Sequence, residues 1–218
     1  MTEETTPDQD NTPLDDFWNV FAGLVQDVRR CIKVFEDGKV TDKAELLFWD
    51  RALARSTFAL IEGTPYSMAW LAYSYVHFFK VETLSALEIE ELENAYDFDD
   101  PIEPKMEIDR SHLLNKIQWA FDVFARVHAV EGYPLTELTE WVLIKEILSY
   151  KEGLAHPRTP EALILYEENR EVLIEGAVWF IKRVPDLLKK CRDGMEAYGH
   201  VRNAAGDPWD TDINDFIM

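Results

Sequence analysis

Glycine and proline are scarce in this chain of 218 residues, at nine and ten respectively. Long stretches therefore carry no turn punctuation, which argues against many short strands and for long helices. Cysteine is scarcer still. Cys31 and Cys191 stand far apart with no CxxC, which excludes a disulfide scaffold and suits a reducing compartment. No stretch approaches the roughly 20 apolar residues of a membrane span. The opening "MTEETTPDQDNTP" is acidic and polar, unlike a signal peptide, so a cytoplasmic location is expected. Walker, GxGxxG, HExxH and zinc spacings are all missing, and there is no repeat at a solenoid period. The sequence implies no cofactor and no metal. Basic residues are also few: 22 Lys and Arg stand against 42 Asp and Glu, a formal net charge of −20. That balance keeps a chain soluble, opposes polyanions at long range and suits a basic partner.

What is present is apolar residues at helical spacing. Hydrophobic residues make up 47 % of the chain, enough at this length for a core without metal or disulfide support. Residues 1–13 have no apolar periodicity and read as a disordered acidic arm. A first helix starts near Leu14, with Asp15 and Asp16 in its first turn, Arg29, Arg30 and Lys33 toward its end, and Gly38 as its stop. Phe17, Phe21, Leu24 and Val28 give its spacing. The second helix begins at "DKAELLF". In it Leu47, Ala54, Phe58 and Ile61 share a stripe, and Gly63-Thr64-Pro65 reads as a kink, or as a stop and restart with Thr64 as N-cap. Residues 82–109 hold eleven acids and one lysine. They read as an insertion, helical around "LSALEIEELENAY", and their acids do not follow a calcium-loop spacing.

A third core helix carries Leu114, Ile117, Phe121, Phe124 and His128 on one seam, closed by Gly132 and Pro134. His128 reads as a hydrogen-bonded core histidine. The fourth helix is expected from Leu135 or Thr136. The fifth is expected from Thr159 as N-cap and Pro160 at the first position. Leu163, Tyr166, Leu173, Ala177, Phe180, Val184 and Leu187 form its stripe, Arg170 interrupts that stripe, and Gly194 ends it. Arg170 either reaches the surface past its own stem or pairs with Glu62 or Glu152. The expected fold is all-α, an antiparallel up-and-down helical bundle of about five core helices spanning 14–192, with the acidic insertion 82–109 and an acidic tail 193–218 bearing Trp209 and Phe216.

Between the last two helices runs "SYKEGLAHPRTPE". Pro157 pushes His156 out of the helical region and Gly153 permits an earlier break. The imidazole can then turn back toward Lys151 and Tyr150, beside the N-terminus of the next helix, an intrinsic anion site.

A helical bundle whose penultimate helix ends in a cation, a polar residue, a short spacer and a histidine, followed by proline and a long last helix, resembles the HEPN domains (higher eukaryotes and prokaryotes nucleotide-binding). The matching residues are Lys151, Glu152, Gly153, Leu154, Ala155, His156 and Pro157. "RALARSTFALIEG" is similar to the family's early core helix, with Arg55, Ser56 and Glu62 as its polar members. The resemblance implies a homodimer, in a toxin–antitoxin or anti-phage defence setting. It also implies a metal-independent endoribonuclease in which the RNA 2′-hydroxyl attacks the adjacent phosphate. His156 would be the acid or base, Lys151 would stabilise the charged phosphorane, and Glu152 would fill the polar position. Tyr150, Arg158 and Arg170 would contact substrate. Lysine stands where the family has arginine, and it lacks the planar bidentate grip on phosphate. A second reading therefore stays open: a catalytically inactive acidic helical module that regulates a basic protein partner through 82–109.

Overall fold

The computed structural model describes residues 13–38, 40–79, 84–95, 110–128, 130–155 and 164–197, and these are all-α. Six helices follow in order: α1 (Pro13–Glu36), α2 (Lys43–Phe79), α3 (Ala86–Ala95), α4 (Arg110–Val127), α5 (Trp141–Ala155) and α6 (Glu167–Ala197). No described helix is long and apolar enough to cross a membrane.

α1 forms as its spacing predicts. Phe17, Phe21, Val25 and Val28 are buried, and Gly38 ends the segment at φ +60°, a conformation that glycine adopts without Cβ strain. Asp42 caps α2: its carboxylate accepts the backbone N–H groups of Ala44 at 2.8 Å and Glu45 at 2.9 Å. α2 then runs 37 residues without a break, past Pro65. Thr64 is therefore inside the helix and is no N-cap. Proline removes one backbone donor, but Ile61, Thr64, Met68, Ala69, Leu71 and Ala72 are all fully buried around it, and that packing holds the helix together across the gap.

α1 lies antiparallel on α2, with Leu24 against Gly63 and Cys31 beside Ser56. The insertion is anchored where it is described. Leu84 and Leu92 are buried, and Ser85 and Glu88 form a capping box at the start of α3: Ser85 N–H donates to Glu88 Oε2 at 2.7 Å, and Glu88 N–H donates to Ser85 Oγ at 3.3 Å. Arg126 of α4 reaches the same carboxylate at 2.5 Å and Asp122 at 3.0 Å. The Ser85 bonds first, and then Arg126, hold Glu88 down at about 2, well below the usual carboxylate range. Residues 96–109 lie outside the described residues.

Two helix starts differ from expectation. Residues 135–137 form only a 3-10 turn, and α5 starts at Trp141. Leu138 is extended at ψ 137°, which ends the turn, and the fully buried Leu135 anchors it instead of opening a helix. α6 starts at Glu167, not Thr159. Thr159 and Pro160 lie outside the described residues, while Ile164, Leu165 and Tyr166 alternate exposed, buried, exposed, an extended pattern. Tyr166, 65 % exposed, is thus off the core stripe. Gly194 does not stop α6, which continues to Ala197.

α5 and α6 pack closely at Gly176. A Cβ there would overlap Ile147 Cδ1 and stand 3.3 Å from Leu143 Cβ. Trp141 meets Trp179 at 6.4 Å in the same interface, and Phe121 of α4 meets Phe180 of α6 at 5.7 Å. Gly176→Val is expected to lower unfolding free energy by about 1–3 kcal/mol, the usual cost of overpacking. Urea denaturation should record a lower midpoint at unchanged slope.

Candidate functional site

Lys151 lies near the end of α5, on the face that buries Ile144, Ile147 and Leu148. Lys151 Nζ makes a direct ion pair with Glu62 Oε1 of α2. Each side chain is 33 % exposed, so solvent reaches the pair. Tyr150 occupies the next face. Its hydroxyl donates to Glu146 Oε1 one turn earlier, and Asn169 of α6 bonds it as well. Partial burial, and then the Glu146 carboxylate, push the phenol pKa up, with Asn169 pulling the other way.

Arg170 pairs with Asp50, while Glu62 pairs with Lys151; the side chain of Glu152 lies outside the described residues. Its Nε donates to Asp50 Oδ1 at 2.6 Å and its Nη2 to Asp50 Oδ2 at 3.2 Å. Asp50 is 1 % exposed. The guanidinium also lies 4.8 Å from the centroid of the Phe35 ring, a cation–π contact. One fork thus joins α1, α2 and α6. A carboxylate this deep is tolerated only with its charge matched and its oxygens bonded. The helix N-terminus expected to attract an anion carries Glu167 and Glu168 in its first turn, and these carboxylates already answer the helix dipole.

The structure brings Lys151 and Tyr150 to one end of α5, while the Arg170 guanidinium is bonded to Asp50. His156 and Arg158 lie outside the described residues, as does the side chain of Glu152. Among the described residues no cluster of three or more His, Cys, Asp or Glu is placed to hold a metal ion. Sequence reasoning missed two acids, Asp50 as the partner of Arg170 and Glu62 as the partner of Lys151. Asp50 left a signal: it falls on the apolar stripe of Leu47, Ala54 and Phe58, as Arg170 falls on that of Leu173 and Ala177. Two opposite charges on core-facing positions call for each other. Glu62 stood out only as a polar member of α2 and a candidate partner of Arg170, and its pairing is with Lys151 instead.

His128 is the core histidine that its position predicts. It is 1 % exposed, its Nδ1 lies 2.7 Å from the Phe124 carbonyl, and the rings of Phe124 and Tyr75 flank it at 4.3 and 4.6 Å. Burial pushes its pKa down to about 4, against the smaller upward pull of the Phe124 carbonyl.

No family model, curated protein or solved structure matches this chain.

Arg170→Ala strands a buried carboxylate and is expected to cost about 3–5 kcal/mol, read by chemical denaturation. Asp50→Leu combined with Arg170→Met should recover most of that loss. For His128 the unfolded chain takes up the proton at the ordinary histidine value and the folded chain only near 4. Stability is therefore complete above about pH 6.5 and falls toward pH 4, by about 1.4 kcal/mol per unit. The urea midpoint of wild type should drop between pH 7 and pH 5, and His128→Leu should flatten that dependence.

Proposed function

We propose that this chain is an HEPN-like helical module that binds and regulates a partner and does not cleave RNA. The six described helices are arranged as an antiparallel up-and-down bundle with about five core members. Two observations favour that arrangement: α1 runs antiparallel along α2, and Trp141–Trp179 and Tyr150–Asn169 set α5 antiparallel to α6. It acts in a bacterial or phage defence or toxin–antitoxin system, as a homodimer. A basic protein engages the acidic insertion 82–109, of which α3 is the described part.

One observation carries this choice. The described positive groups that the motif reading calls on each face a carboxylate: Lys151 has Glu62, Arg170 has Asp50, and the α6 N-terminus has Glu167 and Glu168. A phosphodiester in transit to a phosphorane needs uncommitted positive charge aimed at it. A lysine shared with a carboxylate offers little, and the −20 charge removes the counterion-release drive that gives polyanion affinity.

A metal-independent endoribonuclease, with His156 as acid or base and Lys151 and Glu152 beside it, is the second reading. What favours it is also the Lys151–Glu62 contact, which joins a polar member of the early core helix to the motif. RNA-degradation assays without added metal separate the two. The proposed reading expects equal, negligible cleavage by wild type and His156→Ala. Cleavage by wild type that His156→Ala reduces by 100-fold or more, on the order of what general acid–base groups contribute, would install the nuclease in its place.

A further inference from the structure

We propose that the outer face of α2 between Tyr66 and His77 is a docking surface for an arginine-bearing segment of the basic protein partner. Its rings take the guanidinium groups, and the acids around it answer their charge. This rests on the reading of a basic partner, and adds the surface that anchors it and the side chain that it selects.

Tyr66, Trp70, Tyr73 and His77 recur at intervals of four, three and four residues, so they share one stripe of the helix. Met68, Leu71 and Ala72 on the other side are fully buried. Tyr66 and Trp70 are each 38 % exposed, His77 is exposed and Tyr73 is half-buried. The rings also stand in series. Trp70 and Tyr73 lie 6.1 Å apart at 31° between planes, and Tyr73 and His77 lie 5.7 Å apart at 21°. Rings of this size belong mostly inside a fold. A run of them on an outer face marks an interaction surface, and tyrosine and tryptophan are the side chains that anchor such surfaces.

The surroundings select the occupant by charge. α1 lies antiparallel beside this face, with Leu24 at Gly63 and Cys31 at Ser56. Continued along both helices, that register sets the exposed Val20 level with Ser67 and the exposed Asp16 level with Leu71. From Pro13 to Val28, from Ser56 to Phe79 and throughout α3 the chain has no lysine or arginine. The same stretches hold Asp15, Asp16, Asp27, Glu62, Glu88 and Glu90, and α3 packs on α2. Lys151 reaches α2 only to pair with Glu62. A polyanion would therefore meet carboxylates along the borders of the face, whereas a cationic segment meets its complement there. Between the two cations, arginine fits better. Its guanidinium is planar and weakly hydrated and stacks on a ring, while an ammonium must give up a tighter water shell.

The test uses two labelled peptides of equal length and charge, one of alternating arginine and alanine, the other of alternating lysine and alanine. Binding by fluorescence anisotropy is compared for wild type, Trp70→Leu, Tyr66→Leu, Phe48→Leu and Glu90→Lys. Leucine keeps apolar bulk and removes the ring, so a merely hydrophobic patch would not respond. Phe48, 56 % exposed at the other end of α2, is the ring control, and two ring positions are used in case one variant fails to fold. Wild type is expected to bind the arginine peptide about fivefold tighter than the lysine peptide. Trp70→Leu and Tyr66→Leu should bring the arginine peptide down toward the lysine level, and Phe48→Leu should change neither. Equal binding of the two peptides, or an arginine preference that both leucine variants retain, overturns the inference. Weakening of both peptides by Glu90→Lys in that case leaves the basic-partner reading standing, whereas no binding of either peptide to wild type sinks both. Binding of a labelled single-stranded oligoribonucleotide that Trp70→Leu removes would assign the rings to nucleic-acid bases and overturn the inference as well.

Discussion

α2 must stay helical past Pro65, because every other described helix rests on it. A proline in a helix interior forfeits a backbone bond and crowds the preceding turn, typically at a cost of about 3 kcal/mol. Here the cost is met by burial on either side, from Ile61 through Ala72, and the result is a single rod. The rod then fixes where its side chains present themselves. Asp50, Glu62 and Tyr75 sit along about 38 Å of one helix axis. Each is the α2 end of a contact to a different helix: to Arg170 of α6, to Lys151 of α5 and to His128 after α4. A break at Gly63-Thr64-Pro65 would have let the two ends swing independently and would have uncoupled the Tyr75–His128 contact from the Asp50 fork and the Lys151 seam.

The two ion pairs on that rod look alike in sequence and differ in physics. Asp50 is inaccessible and doubly bonded, so its partner cannot be borrowed by a ligand. Such a pair serves the positioning of helices, and its worth lies chiefly in the penalty for breaking it. Glu62 and Lys151 share their charge in reach of solvent. Pairs of that kind add little to stability and can exchange partners. Burial, not charge, therefore separates the structural cation from the one a solute can reach.

The acidic insertion changes in character once its contacts are known. As sequence it is a run of carboxylates. As structure, α3 has its own capping box and two buried leucines, and Arg126 ties Glu88 to the body of the fold. Whatever meets its exposed acids meets a helix of defined orientation. The same segment exposes Leu87 at 65 %, so the outward face combines charge with an apolar side chain.

The chain's own residues determined the class of fold, the extent of α1 and α3, the core seam of α4 and the burial of His128. Each of these follows from local terms: helical spacing of apolar residues, acids at N-termini, glycine past a C-terminus. Local signals failed at the starts of α5 and α6. Thr159-Pro160 is a strong cap pattern by composition, yet the helix begins at Glu167, after Ile164, Leu165 and Tyr166 alternate in the manner of an extended segment. Likewise Thr64-Pro65 offers a restart that burial overrides. Only tertiary structure decided which acid meets which base. Asp50 and Arg170 lie 120 residues apart and Glu62 and Lys151 lie 89 apart. Asp50 and Arg170 each interrupt an apolar stripe, but no one-dimensional pattern assigns Glu62 to Lys151. The crossing of α5 and α6 over α2 sets those distances, and at short range the electrostatic energy depends on distance and burial far more than on residue type.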